Sequence, residues 1–122
     1  MLPERAQHTL SFAGELSFGD LCALMNVADL TITNNTGPMH VSAAVKTPVI
    51  SLFALTNPPQ QWHPWRVRHR LLYRSVPCAT CYQRVCPYEH QCLRDVQPSQ
   101  VVDAAVELLG ELPVRKGDKE YP

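Results

Sequence analysis

A short polar turn at residues 34 to 38 (Asn-Asn-Thr-Gly-Pro) has the residue types of an anion site. It separates a β-branched run from a segment that opens with proline, so we predict a strand that turns directly into a helix. The first N–H groups of a helix are unpaired and carry partial positive charge. Gly37 permits close approach of a phosphate, the Thr36 hydroxyl can donate to it, and His40 falls in the first helical turn. We predict a phosphate site, the alternative being a plain helix cap with a locally bonded His40.

Four cysteines crowd into one short stretch, at Cys78, Cys81, Cys86 and Cys92. Four thiols can hold zinc tetrahedrally, and His90 offers a nitrogen ligand in the same stretch. Only the first two cysteines form a close-spaced pair, so the spacing permits a metal without requiring one. Reduced thiols that pack the loop are the favoured interpretation, and a disulfide or an iron–sulfur arrangement stays open.

A third stretch interleaves aromatic and basic residues, namely Trp62, His63, Trp65, Arg66, Arg68 and Arg70. Such a mixture can stack a base or follow a single nucleic-acid strand. The chain has 11 Lys and Arg against 11 Asp and Glu, so its formal net charge of zero argues against a nucleic-acid partner. We therefore favour ordinary packing of Trp62 over a wall of a nucleotide site.

Composition limits what the chain can be. Its 122 residues, 45% hydrophobic and 18% charged, suit one small α/β domain, and no apolar run approaches the roughly 20 residues of a membrane span. The N-terminus has neither a basic leader nor an apolar signal core, so we expect a cytoplasmic protein with no transmembrane segment.

Strands and helices are predicted to alternate along the chain. We predict strands at 8–12, 30–33, 49–53 and 70–73, and helices that start at the Ser17 cap, over 39–45, and from Pro98 to a cap at Gly110. The apolar helix faces are Leu21, Leu24, Met25 and Ala28 in the first helix and Val101, Val102, Ala105, Leu108 and Leu109 in the last. This alternation is typical of a parallel, doubly wound sheet, where ligands bind beyond the carboxyl ends of the strands. We therefore expect the site in the loops that follow Thr33 and Phe53.

Several ordered segments resemble the heptosyltransferase family of glycosyltransferases. They are Ala-Asp-Leu at 28–30, Asn-Asn-Thr-Gly-Pro-Met-His-Val-Ser-Ala-Ala at 34–44, Thr-Pro-Val-Ile at 47–50, Leu-Phe at 52–53, Thr-Asn-Pro at 56–58, and Trp62 with Pro64. The resemblance covers roughly Thr9 to Leu109. It implies part of the C-terminal lobe of a two-lobed GT-B fold at residues 7–112, followed by a charged and disordered tail at 113–122.

The resemblance also implies an activity. Family members move a sugar, often heptose from its ADP-activated form, to a lipopolysaccharide-core acceptor, without a covalent enzyme intermediate and with no required cofactor. The substrate-binding residues implied here are Asn35, Thr36, Gly37, Pro38, Met39, His40 and Thr56. The acceptor and the catalytic base belong to a first lobe that does not appear in this chain, so we expect no turnover from it alone. A peripheral place at the inner membrane is compatible with such an acceptor.

The sequence departs from the family pattern at two functional positions. Asn35 stands where the family commonly has an acidic residue, and residues 54–58 read Ala-Leu-Thr-Asn-Pro where it tends to have Gly-Pro-Thr-Asp-Pro. Two other functions remain as alternatives. One is a cysteine-rich, zinc-stabilised interaction module, and the other is a related GT-B enzyme such as a nucleotide-sugar epimerase.

Overall fold

The computed structural model describes residues 8–113, which form three strands and five helices. In chain order they are α1 (Phe18–Val27), β1 (Thr31–Asn34), α2 (Gly37–Ala44), β2 (Val49–Leu52), α3 (Pro59–Trp62), β3 (His69–Leu72), α4 (Gln91–Arg94) and α5 (Pro98–Glu111). The predicted charged tail lies outside the described residues from position 114 onward.

The three strands form one parallel sheet in the order β1-β2-β3. Ile50 of β2 is paired with Ile32 on one side and with Arg70 on the other. The first three residues of β2 are buried, as expected for a continuous apolar run in a central parallel strand. Because all strands are parallel, the loops that follow β1 and β2 leave the sheet at the same edge, where the sequence predicts the site.

Alternate residues of β2 pack on opposite faces of the sheet. Val49 packs with Met39 of α2 and with Phe53 in one cluster. Ile50 packs with Ala104 and Leu108 of α5 in the other. Helices therefore cover both faces, which confirms the predicted α/β class with a parallel sheet and flanking helices.

Buried hydroxyls fix α2 against its neighbours. Thr47 Oγ1 donates to the carbonyl oxygen of Met25 in α1 at 2.6 Å. Ser42 Oγ in α2 lies 2.9 Å from Thr31 Oγ1 in β1 and 3.1 Å from the Thr47 carbonyl oxygen. Since hydrogen bonds are directional, this network sets the position of α2 as well as its distance from the sheet.

Two predictions of regular structure are wrong. The strand expected at 8–12 is absent, because this run is exposed throughout and pairs with no strand of the sheet. The last helix does not end at Gly110 but runs to Glu111 and is capped at Leu112 in an extended conformation.

The predicted helix faces are also partly wrong. In α5, Val102 and Leu109 are 59% and 44% exposed, while Ala104 and Leu108 are buried and Val101 and Ala105 pack beside them. The face that meets the sheet thus includes Ala104 and excludes Val102 and Leu109 of the predicted set. In α1, Met25 is buried but Leu24 is 40% exposed. No helix within residues 8–113 is long and apolar enough to cross a bilayer.

Candidate functional site

The predicted anion turn lies where β1 passes into α2. Thr36 is the N-terminal cap of α2 in an extended conformation, but its side chain makes no capping hydrogen bond. Its hydroxyl is exposed and free to bind another group. Pro38 stands in the first helical turn, as predicted, where its missing N–H costs nothing.

Gly37 faces open space at the start of α2. A Cβ atom built at this position would meet nothing within 4 Å, and within residues 8–113 the Gly37 N–H makes no backbone hydrogen bond. The protein's own packing therefore does not require glycine here. A ligand that approaches the backbone closely would require it.

His40 is also exposed at this turn. Its ring centroid lies 6.4 Å from that of Trp62, at an angle of 66°. Trp62 is 51% exposed, so the ordinary packing predicted for it covers the residue only in part. The neighbouring Trp65 is 65% exposed and has the Arg66 guanidinium 5.1 Å from its ring centroid.

Met39 points away from the turn. Its side chain is fully buried in the core cluster under the sheet, and its N–H donates to the Thr36 carbonyl oxygen at 3.0 Å. Of the residues predicted to contact the substrate, Met39 is the one that the structure does not bring to the surface. Its contribution to the turn is to anchor the first residues of α2.

Asn35 joins the two loops at the strand ends. Its Nδ2 donates to the Ala54 carbonyl oxygen at 3.2 Å, and its Oδ1 accepts from the Ala54 N–H at 3.1 Å. The side-chain amide uses both its donor and its acceptor in this way, which a carboxylate could not do. The sequence signal was the amide at a position where the resembled family commonly has an acid, but the partner could not be identified from the sequence.

Thr56 lies in the second loop, under the cysteine-rich segment. The N–H groups of Cys81 and Tyr82 donate to the carbonyl oxygens of Leu55 and Thr56 at 3.2 and 3.0 Å. Beside these bonds lies a cleft of about 390 Å³, lined by Thr56, Asn57, Tyr82, Gln83 and Arg84. Arg84 could not be identified as a site residue from the sequence, because it matches no motif.

The four clustered cysteines are reduced and half-buried. They line one small cavity of about 30 Å³ together with Ala54, Leu55, Thr56, Val76, Tyr88, His90 and Gln91. The Sγ of Cys86 accepts from the N–H groups of Tyr88 and His90 at 3.4 and 3.3 Å. Within the described part of the chain, no three His, Cys, Asp or Glu side chains are grouped so that they could hold a metal ion. This geometry gives no support to the zinc-stabilised module.

A family model matches most of the chain. The model for glycosyltransferase family 9 (heptosyltransferase) matches residues 2–92, which include the α2 turn, the second loop and all four clustered cysteines. The chain belongs to glycosyltransferase family 9.

Individual relatives agree with this assignment. The chain is 32% identical over 111 residues to lipooligosaccharide heptosyltransferase 2 of Campylobacter jejuni, a match that covers 89% of this chain and 34% of the relative. It is 44% identical over 55 residues to lipopolysaccharide heptosyltransferase 3 of Escherichia coli, covering 45% of this chain and 16% of the relative. The crystal structure of a family 9 glycosyl transferase from Veillonella parvula matches with a TM-score of 0.69 at 28% identity, over 81% of this chain and 28% of that one.

The family 9 chain spans about a third of the length of the longest-matching curated relatives. The structural match confirms the expected fold relationship, a parallel α/β unit of a family 9 glycosyltransferase.

Proposed function

We propose that this family 9 chain holds the donor of a glycosyltransferase that moves a sugar, of the heptose type, from a nucleoside diphosphate to a lipopolysaccharide-type acceptor. The observation that carries the proposal is the exposed turn at the start of α2. There a glycine with open space in front of it stands between a free Thr36 hydroxyl and an exposed His40. The unpaired Gly37 N–H, a hydroxyl donor and an imidazole at one helix N-terminus suit a diphosphate.

The proposed chemistry is transfer in one displacement. The bond between the anomeric carbon and the diphosphate oxygen breaks while a bond to an acceptor hydroxyl oxygen forms, and the acceptor proton passes to a base. Negative charge grows on the departing diphosphate. The Gly37 N–H, with Thr36 and His40, would stabilise that charge more in the transition state than in the ground state.

The Asn35 bridge gives this site its rigidity. It ties the α2 turn to the loop that carries Thr56 with two hydrogen bonds at the strand ends. Electrostatic stabilisation depends on donors that are already in place, so a bridge between the two loops favours catalysis without touching the sugar.

The remaining partners follow from the same proposal. We propose an ADP-heptose-like donor, because the family and its heptosyltransferase relatives suggest one. The base and most of the acceptor-binding surface would belong to parts of the enzyme outside this chain, and no cofactor is needed for the displacement. An acceptor of the lipopolysaccharide type is anchored in a bilayer, so we place the enzyme in the cytoplasm beside the inner membrane.

Titration of ADP and ADP-heptose against Gly37→Ala, with Gly110→Ala as control, tests the donor site. Neither added methyl group meets another atom within 4 Å in the protein, so both variants should fold. We expect Gly37→Ala to weaken ADP binding by at least about tenfold, or ~1.4 kcal/mol, because its methyl group enters the ligand's space. Gly110→Ala should bind as the unaltered chain does.

Two further arms sharpen the titration. A Thr36→Ala and His40→Ala double variant should lose ADP binding, and UDP should bind more weakly than ADP to the unaltered chain. Equal affinity of the two glycine variants for ADP would rule out a ligand at Gly37 and with it the proposed donor site.

A further inference from the structure

We propose that the cleft between the second loop and the cysteine-rich segment is a separate oxyanion subsite, with Arg84 as its cation. The cleft is lined by Thr56, Asn57, Tyr82, Gln83 and Arg84 and has a volume of about 390 Å³. No residue of the α2 turn lines it. The identity of the substrate that it binds rests on the proposed function, whereas its affinity for an oxyanion does not.

Backbone geometry holds this cleft open. The Tyr82 N–H donates to the Thr56 carbonyl oxygen at 3.0 Å, and Tyr82 has a φ of 55°, in the left-handed region. A bulky residue rarely adopts this conformation. Where one does, the surrounding structure usually fixes the course of the backbone. Here that path carries residues 82 to 84 along one wall of the cleft, facing Thr56 and Asn57.

Arg84 differs from the other arginines within residues 8–113. Four of them form ion pairs with carboxylates and one lies against a tryptophan ring, namely Arg68, Arg70, Arg74, Arg94 and Arg66. In that same part of the chain, the Arg84 side chain has no hydrogen bond, ion pair or ring contact. The cleft thus contains a guanidinium whose charge is not balanced by the protein.

The residues that line the cleft favour an oxyanion as the ligand. A guanidinium offers paired N–H donors that match two oxygens of a phosphate or a carboxylate. The Thr56 hydroxyl and the Asn57 amide can donate to further oxygens, and no carboxylate lines the cleft to oppose an anion. Two sources could supply such a group, a phosphate of the donor or an acidic group on the sugar acceptor.

Heteronuclear NMR of the isotope-labelled 122-residue chain tests the subsite, with inorganic phosphate and glucuronate as probes. We expect saturable shifts of the Arg84 side-chain N–H and of the Thr56 and Asn57 amides. Arg84→Gln should weaken phosphate binding in the cleft by at least about tenfold, the usual scale for loss of a charge-assisted pair.

Arg94→Gln is the matched control, because it removes the same charge from an exposed arginine that is paired with Glu89. This variant should keep the phosphate shifts in the cleft. Absence of saturable shifts in the unaltered chain, or equal losses in both arginine variants, would overturn the proposal, since binding would then be absent or merely a response to net charge.

The donor site is monitored in the same spectra through the amides of Gly37 and His40. The Thr36→Ala and His40→Ala double variant should keep phosphate binding at Arg84, so failure of the donor site and failure of the subsite are distinguishable. Loss of the Arg84 response in that double variant counts against a separate subsite.

A competition identifies the source of the oxyanion. If saturating ADP expels phosphate from the cleft, a donor phosphate occupies it. If the chain binds ADP and phosphate at the same time, the cleft binds an acidic group of the acceptor. Either result supports the subsite.

Discussion

The two faces of the sheet are held by different chemistry. On the α2 face, buried hydroxyls of Thr47 and Ser42 bond to α1, β1 and the backbone. On the α5 face, Ile50 and Leu108 are fully buried in a purely apolar cluster. The face that carries the proposed donor turn is thus the one with directional buried bonds.

Polar contacts of the α5 face lie at its exposed rim. Arg70 bonds to Glu107 at 3.0 Å and to Glu111 at 2.5 Å, while these carboxylate side chains are 64% and 41% exposed. The hydrogen bond that Arg70 donates to Glu107, and then the charge of Glu111, raise the pKa of the Arg70 guanidinium, which is charged at physiological pH in any case. Exposed pairs of this kind contribute little to stability.

The two faces therefore have different roles: the α5 face stabilises the sheet, and the α2 face sets the orientation of α2. Apolar burial is non-directional, so the α5 face can stabilise the sheet while tolerating small shifts of its helix. The hydroxyl bonds of the α2 face fix a direction, which a helix N-terminus needs if its N–H groups are to face a ligand. Five substitutions test this comparison.

Leu108→Ala should have the largest effect on stability. It removes a fully buried side chain from the α5 face and should lower the free energy of unfolding by about 3 kcal/mol. Urea denaturation measures the loss, with the 66% exposed Val106→Ala on the same helix as control. ADP affinity of the folded variant should be unchanged, and a comparable loss of affinity would contradict the division between the faces.

Thr47→Val should act on both stability and the turn. It removes the 2.6 Å bond to the Met25 carbonyl oxygen and leaves that acceptor unpaired, at a cost of about 1–3 kcal/mol. Thr47→Ser keeps the hydroxyl and should lose less. Here ADP affinity should fall together with stability, and an unchanged affinity would show that the hydroxyl network does not position α2.

Asn35→Asp should loosen the bridge at the strand ends. A carboxylate accepts from the Ala54 N–H but cannot donate to the Ala54 carbonyl oxygen, so we expect a loss of about 1 kcal/mol. Urea denaturation measures the loss. Asn34→Asp places the same charge on the neighbouring exposed residue, and equal losses of stability in the two variants would exclude a bridge.

The sequence predicted those elements of the fold that depend on interactions between residues close together in the chain. The run at 49–53 is β-branched and apolar throughout, and it is the central strand with one residue less at its end. Ser17 and Asp20 form the predicted start of α1 with a reciprocal pair of hydrogen bonds. In both cases the deciding interactions lie within a few residues of one another.

Long-range contacts could not be predicted in the same way. The run at 8–12 has strand composition, but a strand also needs a partner, and the sheet provides none for it. The Asn35 side chain bonds to a backbone group 19 residues away, and Arg84 reaches the cleft only because its segment bonds to the second loop. The position of the α2 turn between a strand and a helix could be predicted from its residue types. The contacts that hold the turn in place could be identified only from the structure.

Ser51→Ala tests whether a hydroxyl on the central strand needs a partner to be useful. Ser51 is fully buried in β2, and its Oγ has no hydrogen-bond partner among the described residues. Removal of an unpaired buried polar atom should leave the free energy of unfolding unchanged or raise it by up to about 1 kcal/mol. Urea denaturation decides, and a loss comparable to that of Thr47→Val would mean that Ser51 makes a bond in solution.

Asp20→Asn should have the smallest effect, because the Ser17–Asp20 pair is directional but exposed. The hydrogen bonds from Ser17 lower the pKa of Asp20 below its ordinary value. A carboxyl whose pKa is lower in the folded state stabilises the fold at pH values above its pKa in the unfolded chain. That stability is lost as the pH falls through its pKa in the folded chain. The unaltered chain should therefore lose more stability on acidification than Asp20→Asn does, as thermal melts across the acidic range would show. If Asp20→Asn destabilises the chain at neutral pH as much as Thr47→Val does, then an exposed directional bond contributes as much stability as a buried one. Burial would then not explain the contribution of the Thr47 hydroxyl bond.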